Sequence, residues 1–135
     1  IEKQWNEKFY KPLSNTMNVL ENDQTYSYSP IIEMIQWINI VEFKNSNENE
    51  NKLTIISDMI QNSKEYSFFK NKINNFEETS FFNIYRTNMK NFEVQIMLTR
   101  RDNLSKFQTP EYIDFWIKYF GLQNAVINSI KRIDG

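Results

Sequence analysis

Residues 81–100 read FFNIYRTNMKNFEVQIMLTR, and the period assigned to them decides the fold. Phe92, Val94, Ile96 and Leu98 alternate, as the buried face of a strand would. Phe81, Tyr85, Met89, Phe92 and Ile96 also keep the spacings of three and four that mark one face of a helix. A strand needs partners, because an isolated one is not stable in water, and no partner run stands out elsewhere in the chain. The helical period is therefore assigned to 81–100. Arg100 and Arg101 then suit its C-terminus, where the helix dipole favours positive charge.

The punctuation of the chain points the same way. Between Pro30 and Pro110 there is neither Gly nor Pro, so the turns that break up an all-β domain are missing. Residues 109–135 open with Thr109 and Pro110, a capping residue and the residue best tolerated at the first helical position. Glu111 and Asp114 lie near the start, Lys131 and Arg132 near the end, and Gly135 at the stop. These signals predict one helix of about seven turns. Its apolar residues make two stripes. One runs through Ile113, Ile117, Phe120 and Ile127, the other through Tyr112, Trp116, Tyr119, Val126, Ile130 and Ile133.

Ser29 and Pro30 repeat the cap signature and open a helix over 31–43. Its polar residues Glu33, Gln36, Asn39 and Glu42 recur every third position and drift round the helix, so some of them must face protein or a cavity. Residues 1–21 place Ile1, Trp5, Phe9, Leu13, Met17 and Leu20 on one helical face, kinked or split at Pro12. Residues 44–52 form a polar loop. Residues 53–61 read as a short helix, and Ser63 caps another that carries Phe68 or Phe69, Ile73 and Phe76. A turn over 77–80 and a connection over 102–108 complete the chain. The expected fold is all-α: about six helices in an orthogonal or antiparallel bundle, ending in two long helices. Residues 1–135 suit one domain.

The residues that are absent remove whole classes of chemistry. Without cysteine there are no disulfides, thiolate nucleophiles or cysteine-based zinc sites. Without histidine the usual general base, metal ligand and pH switch are gone. Two glycines cannot make a phosphate-binding loop. Net charge is −1, which gives no general attraction to nucleic acid. The charge is uneven: residues 1–43 carry three basic and six acidic side chains, residues 81–135 eight and five. Asn, Ile, Lys, Phe and Tyr are heavily used beside a single alanine, Ala125. That bias reads as an AT-rich bacterial genome, so the asparagines are discounted as structural signals. The chain starts on Ile1, from which an upstream signal peptide or domain is expected.

Several clusters bear on chemistry. Glu48 with Glu50, and Glu77 with Glu78, lack the spacing of a calcium loop. Asp58 with Glu93 and Gln95 would make a nuclease-like acidic triad only in a strand context. Arg86, Lys90, Arg100, Arg101 and Lys106 are the densest basic stretch, read as a soluble helix end rather than a nucleic-acid contact. Trp5, Glu33, Met34, Trp37, Tyr66 and Phe69 supply aromatic and flexible walls for an apolar pocket, with Glu33 suited to a cationic ligand. Trp37, in the most apolar run, is expected to be largely buried.

Residues 85–121, YRTNMKNFEVQIMLTRRDNLSKFQTPEYIDFWIKYFG, resemble the effector domain of TetR/AcrR-type transcriptional regulators. The shared features are a penultimate helix, a short polar connection, then Pro-Glu and an aromatic-rich helix with a glycine partway, here Gly121. The resemblance implies a cytoplasmic, non-enzymatic regulator without a cofactor or membrane anchor. It implies a ligand pocket among the middle helices and DNA bound only through a segment upstream of Ile1. It also implies a homodimer, which the wide apolar surface of the last helix supports. Tyr112, Trp116, Tyr119, Phe120, Val126 and Ile130 would form that interface, with Gly121 allowing close approach. The alternative is a stand-alone helical protein that binds a partner, of the immunity or inhibitor type.

Overall fold

The computed structural model describes residues 28–41, 51–70, 73 and 75–133. Three parallel strands, β1 (Asn51–Ser57), β2 (Phe92–Thr99) and β3 (Val126–Ile133), form one sheet in the order β1-β2-β3. Among the described residues three helices accompany them: α1 (Ile31–Val41), α2 (Ser80–Tyr85) and α3 (Pro110–Leu122). The fold is mixed α/β, and the all-α bundle with two long C-terminal helices is overturned.

Residues 81–100 contain both periods in succession. Helical packing of Phe81, Phe82 and Tyr85 ends with α2, and alternation begins at Phe92. The partners that the sequence reading did not find flank β2 on both sides. Asn51 to Ser57 pair with Phe92 to Leu98, and Glu93 to Thr99 pair with Val126 to Ile133. Parallel partners lie far apart in sequence and have no hairpin turn to announce them. The short helix expected over 53–61 is thus mostly strand, and residues 63–70 form turns rather than a capped helix. The helix expected over 31–43 is present as α1. Residues 1–21, with Trp5, lie outside the described residues.

The long helix expected over 109–135 stops at Leu122 for a specific reason. Asn124 takes a left-handed backbone with φ 69°. The Ala125 N–H then donates to the Phe120 carbonyl at 3.0 Å, and the Asn124 N–H to the Gly121 carbonyl at 3.1 Å. This paired closure satisfies the last carbonyls of the helix and turns the chain out of it. Asn91 before β2 (φ 75°) and Asn75 before a 3-10 turn (φ 57°) take the same conformation. Asparagine tolerates it better than most residues, so here it does what glycine does in other chains.

Each polar residue of α1 that lies within the described part is used against protein. The Gln36 side chain donates to the Ile84 carbonyl at 2.9 Å, and Asn39 donates to Thr87 Oγ1 and the Asn88 carbonyl. Glu33 accepts from Gln61 Nε2 at 2.9 Å and from Ser63 Oγ at 2.5 Å.

One buried cluster joins β2 (Phe92, Val94, Ile96, Leu98) to α3 (Tyr112, Phe115, Trp116, Tyr119, Phe120). Phe68 and Phe76 set their edges against the Phe115 ring, with centroids 4.8 Å away in both cases. Tyr66 stacks on Phe81 at 5.1 Å. The aromatic helix is therefore covered on several sides by its own domain. Trp116 and Tyr119 are each only 1% exposed, so they cannot serve as a dimer interface while the domain stays folded. Val126 is exposed and Ile130 half-buried, both on β3. A side chain added at Gly121 would meet nothing within 4 Å, so no close approach within the chain depends on that glycine. No helix among the described residues is long and apolar enough to cross a membrane.

These observations set two expectations. Gly121→Ala, in a helix and in open space, should raise stability by up to ~1 kcal/mol. Asn124→Ala should lower it by about 1–2 kcal/mol because its left-handed backbone disfavours a Cβ. Denaturant midpoints of the two variants should move in opposite directions. Burial also pushes the Tyr66 phenol from 10.0 up to about 12, and burial raises Tyr112 and Tyr119 as well. A raised acid is neutral in both folded and unfolded chains at neutral pH, so stability should be flat there. Above pH ~10 the unfolded chain ionises first, and stability should fall by about 1.4 kcal/mol per pH unit for each such tyrosine until its folded pKa is passed. Urea melts between pH 8 and about 11.5, read with tyrosinate absorbance, check this.

Candidate functional site

In a parallel sheet every strand ends at the same side, so the segments that follow the strands gather there. Here that side gathers Ser57 and Asp58 at the end of β1, Thr99 to Arg101 at the end of β2, and Arg132 near the end of β3.

The segment after β1 is held by side chains on both sides of it. Ser57 Oγ accepts from the Met59 N–H, and Asp58 Oδ1 from the Ile60 N–H, each at 3.0 Å. Met59 is fully buried and has φ 56°, a costly backbone for a residue with a long side chain. From α3, the Tyr112 hydroxyl donates to the Asp58 carbonyl at 2.5 Å and Trp116 Nε1 to the Met59 carbonyl at 2.8 Å. Burial keeps the Tyr112 phenol neutral, the form that can donate. Gln108 ties two strand ends together. Its Nε2 donates to the Asp58 carbonyl at 3.2 Å and the Thr99 carbonyl at 3.0 Å, while its Oε1 accepts from the Arg101 N–H at 2.9 Å.

Beside this clamp lies a cleft of about 150 Å³. Leu98, Thr99 and Arg100 line it from β2, Ser105 and Gln108 from the connection, Tyr112 and Ile113 from α3, and Arg132 from β3. Arg132 reaches it because of a bulge. The register moves from Val94↔Ile127 to Gln95↔Ser129, leaving Asn128 as an extra residue. Directly paired residues share a face of the sheet. The extra residue therefore puts Arg132 on the face of its partner Leu98, the inward one; without it Arg132 would point the other way. Arg100 meets only an exposed Asp102, at 3.7 Å. Such pairs contribute little and exchange readily. The start of α3 is already served by its own carboxylate: the Glu111 N–H and the Thr109 hydroxyl hold the Glu111 carboxyl below its usual range.

Of the six residues expected to wall an apolar pocket, the five that are described do not line this cleft. Trp5 lies outside the described residues. Glu33 and Tyr66 come together around Gln61, whose side chain also donates to Ser63 Oγ at 3.2 Å. Glu33 accepts hydrogen bonds from Gln61 and Ser63 within the protein. Met34 and Trp37 are half-buried on α1, so Trp37 is less enclosed than expected. Phe69 packs edge-on against Phe107 at 4.6 Å. Glu93 stands at the start of β2 and Asp58 beyond the end of β1, so with Gln95 they form no acidic triad. Arg86 and Lys90 precede β2 while Arg100, Arg101 and Lys106 follow it, which splits the basic stretch between opposite ends of the sheet. No group of three or more metal-ligating side chains occurs among the described residues.

Gln108→Leu tests the clamp. It leaves the Thr99 carbonyl and the Arg101 N–H without these partners and should cost about 1–3 kcal/mol. Hydrogen exchange should speed up at Arg101 and in residues 58–60 while the centre of β2 stays protected. The chain matches no protein-family model, no curated protein and no solved structure.

Proposed function

We propose that the chain is a binding domain that takes an organic anion, a carboxylate or phosphate ester, in the cleft at the carboxyl ends of β2 and β3. One observation carries this reading. Two arginines, Arg100 and Arg132, line the same small cleft together with Thr99, Ser105, Leu98 and Ile113. Guanidinium groups present a planar fork of donors that matches carboxylate and phosphate oxygens. The cleft's size suits one such group with a few attached atoms. The tied segment after β1 and the Gln108 bridge hold the walls in place before the ligand arrives, which limits the ordering cost of binding.

Of the readings made from the sequence, this one keeps ligand binding and moves it from α1 to the strand ends. The regulator resemblance implied an all-α domain, and the parallel sheet removes that ground for it. Binding without catalysis is part of the proposal. Its support is that the cleft offers donors and cations to hold a ligand.

The test uses inorganic phosphate as probe, with chloride at equal ionic strength as control. Phosphate at ten times its dissociation constant should stabilise the fold by about 1.4 kcal/mol, seen as a higher melting temperature. Arg132→Ala should abolish that shift and Arg100→Ala should reduce it, while both variants keep the wild-type melting temperature in chloride. A shift equal in phosphate and chloride, or one that survives Arg132→Ala, overturns the proposal.

A further inference from the structure

The two edges of the sheet are built differently. At the β3 edge stand the Asn128 bulge and the exposed Lys131 and Arg132, devices that discourage further pairing. At the β1 edge there is no proline and no bulge, and Lys52 is the only charged residue. Ile56 projects from it with 66% of its surface exposed. The direction of its free hydrogen-bonding groups can be read from one bond. The Asn51 N–H donates to the Asn91 carbonyl on the β2 side at 2.8 Å. Hydrogen-bonding direction alternates along a strand, so Leu53, Ile55 and Ser57 also bond to β2, and the N–H and C=O groups of Lys52, Thr54 and Ile56 point away from it. No strand lies on that side among the described residues.

We infer that this edge pairs with the β1 edge of a second copy of the chain, antiparallel about a two-fold axis at Thr54, to give one continuous six-stranded sheet. The sequence of β1 is self-complementary in that register. Thr54 lies opposite the second copy's Thr54, and Lys52 opposite its Ile56, so all three outward-pointing residues pair with one another. The lysine stem covers the isoleucine that is now exposed. On the other face Leu53 meets Ile55, and two half-buried residues extend the apolar core across the axis. The two Lys52 residues end up about 14 Å apart along the strands, at roughly 3.4 Å per residue, beyond the screening length of physiological salt. An isologous contact of this kind closes on itself, and the blunted β3 edges stop further growth. The interface lies away from the anion cleft and does not depend on it. It also replaces the α3 surface as the site of a homodimer.

Sedimentation and amide hydrogen exchange on the whole chain, over a wide range of concentration, test the inference. A dimer is expected, with protection at Lys52, Thr54 and Ile56 that rises with concentration. Thr54→Pro removes an N–H that β2 does not use and should weaken the dimer by at least about tenfold. Ile56→Lys, which sets like charges opposite each other and leaves the backbone alone, should do the same without disturbing the β1–β2 ladder. A monomer at hundreds of micromolar overturns the inference. So does a dimer indifferent to both variants, or protection at the three amides that does not vary with concentration.

Discussion

Three strands that run the same way oblige the chain to travel back along the sheet twice, once in residues 58–91 and once in residues 100–125. That constraint sets most of what else is seen. A parallel connection needs a dozen residues or more and usually carries a helix, and α2 and α3 are carried in this way. α3 brings five aromatic side chains with it, Tyr112, Phe115, Trp116, Tyr119 and Phe120, and all are buried. The inward residues of β2 supply the complementary apolar surface. Because the strands are parallel, their carboxyl ends meet at one side, where backbone groups leave the ladder and need other partners. Tyr112, Trp116 and Gln108 provide those partners, so the polar ends of the aromatic helix and its lead-in organise the site.

The sequence showed the helices more clearly than the sheet. The Ser29-Pro30 and Thr109-Pro110 signatures located the starts of α1 and α3, and the every-third polar residues of α1 correctly implied that several face protein. The strands were hidden by two physical facts. First, Phe92 and Ile96 belong equally to a period of two and to a helical face, and only a partner could separate the readings. The partners sit more than thirty residues away in each direction and are short edge strands, half polar on their outer face. Second, the boundaries were written in asparagine. The lack of glycine and proline argued for an all-α fold only on the assumption that left-handed turns need glycine. Asn75, Asn91 and Asn124 make those turns here. Discounting asparagine as a genomic bias discarded the marks that ended α3 and opened β2. A compositional bias does not prevent a residue from being used where its chemistry fits.

The site was less legible still, because it is defined by strand ends. Asp58 was considered only as an acid in a triad, and its carbonyl, not its carboxylate, accepts from α3. Tyr112 was placed in a dimer stripe because it lies on the same helical face as Trp116. Burial and a hydroxyl at one end are both needed to see that it anchors the segment after β1. Arg132 was assigned to the end of a long helix, where the dipole would welcome it. Its position in the cleft depends on a bulge, and no propensity in the run VINSIKRI announces that Asn128 is the extra residue.

Two irregularities, Met59 just after β1 and Asn128 within β3, both bear on the same end of the sheet. A left-handed backbone at a buried methionine costs about 1–2 kcal/mol, and it persists only where the surroundings over-determine it. They do so here: Ser57 and Asp58 bond forward to the next amides, and Trp116 holds the Met59 carbonyl from the other side. The bulge leaves one residue unpaired in an eight-residue strand, and it serves the core as well as the cleft. With it, Ile127 and Ile130 both face inward on either side of the extra residue, and the strand's last basic side chain turns into the cleft. A regular β3 would have paired more fully but turned both Ile130 and Arg132 to the outer face. One irregularity therefore sets both the packing of Ile130 and the aim of Arg132, which ties the cleft to β3 as Gln108 ties it to β2.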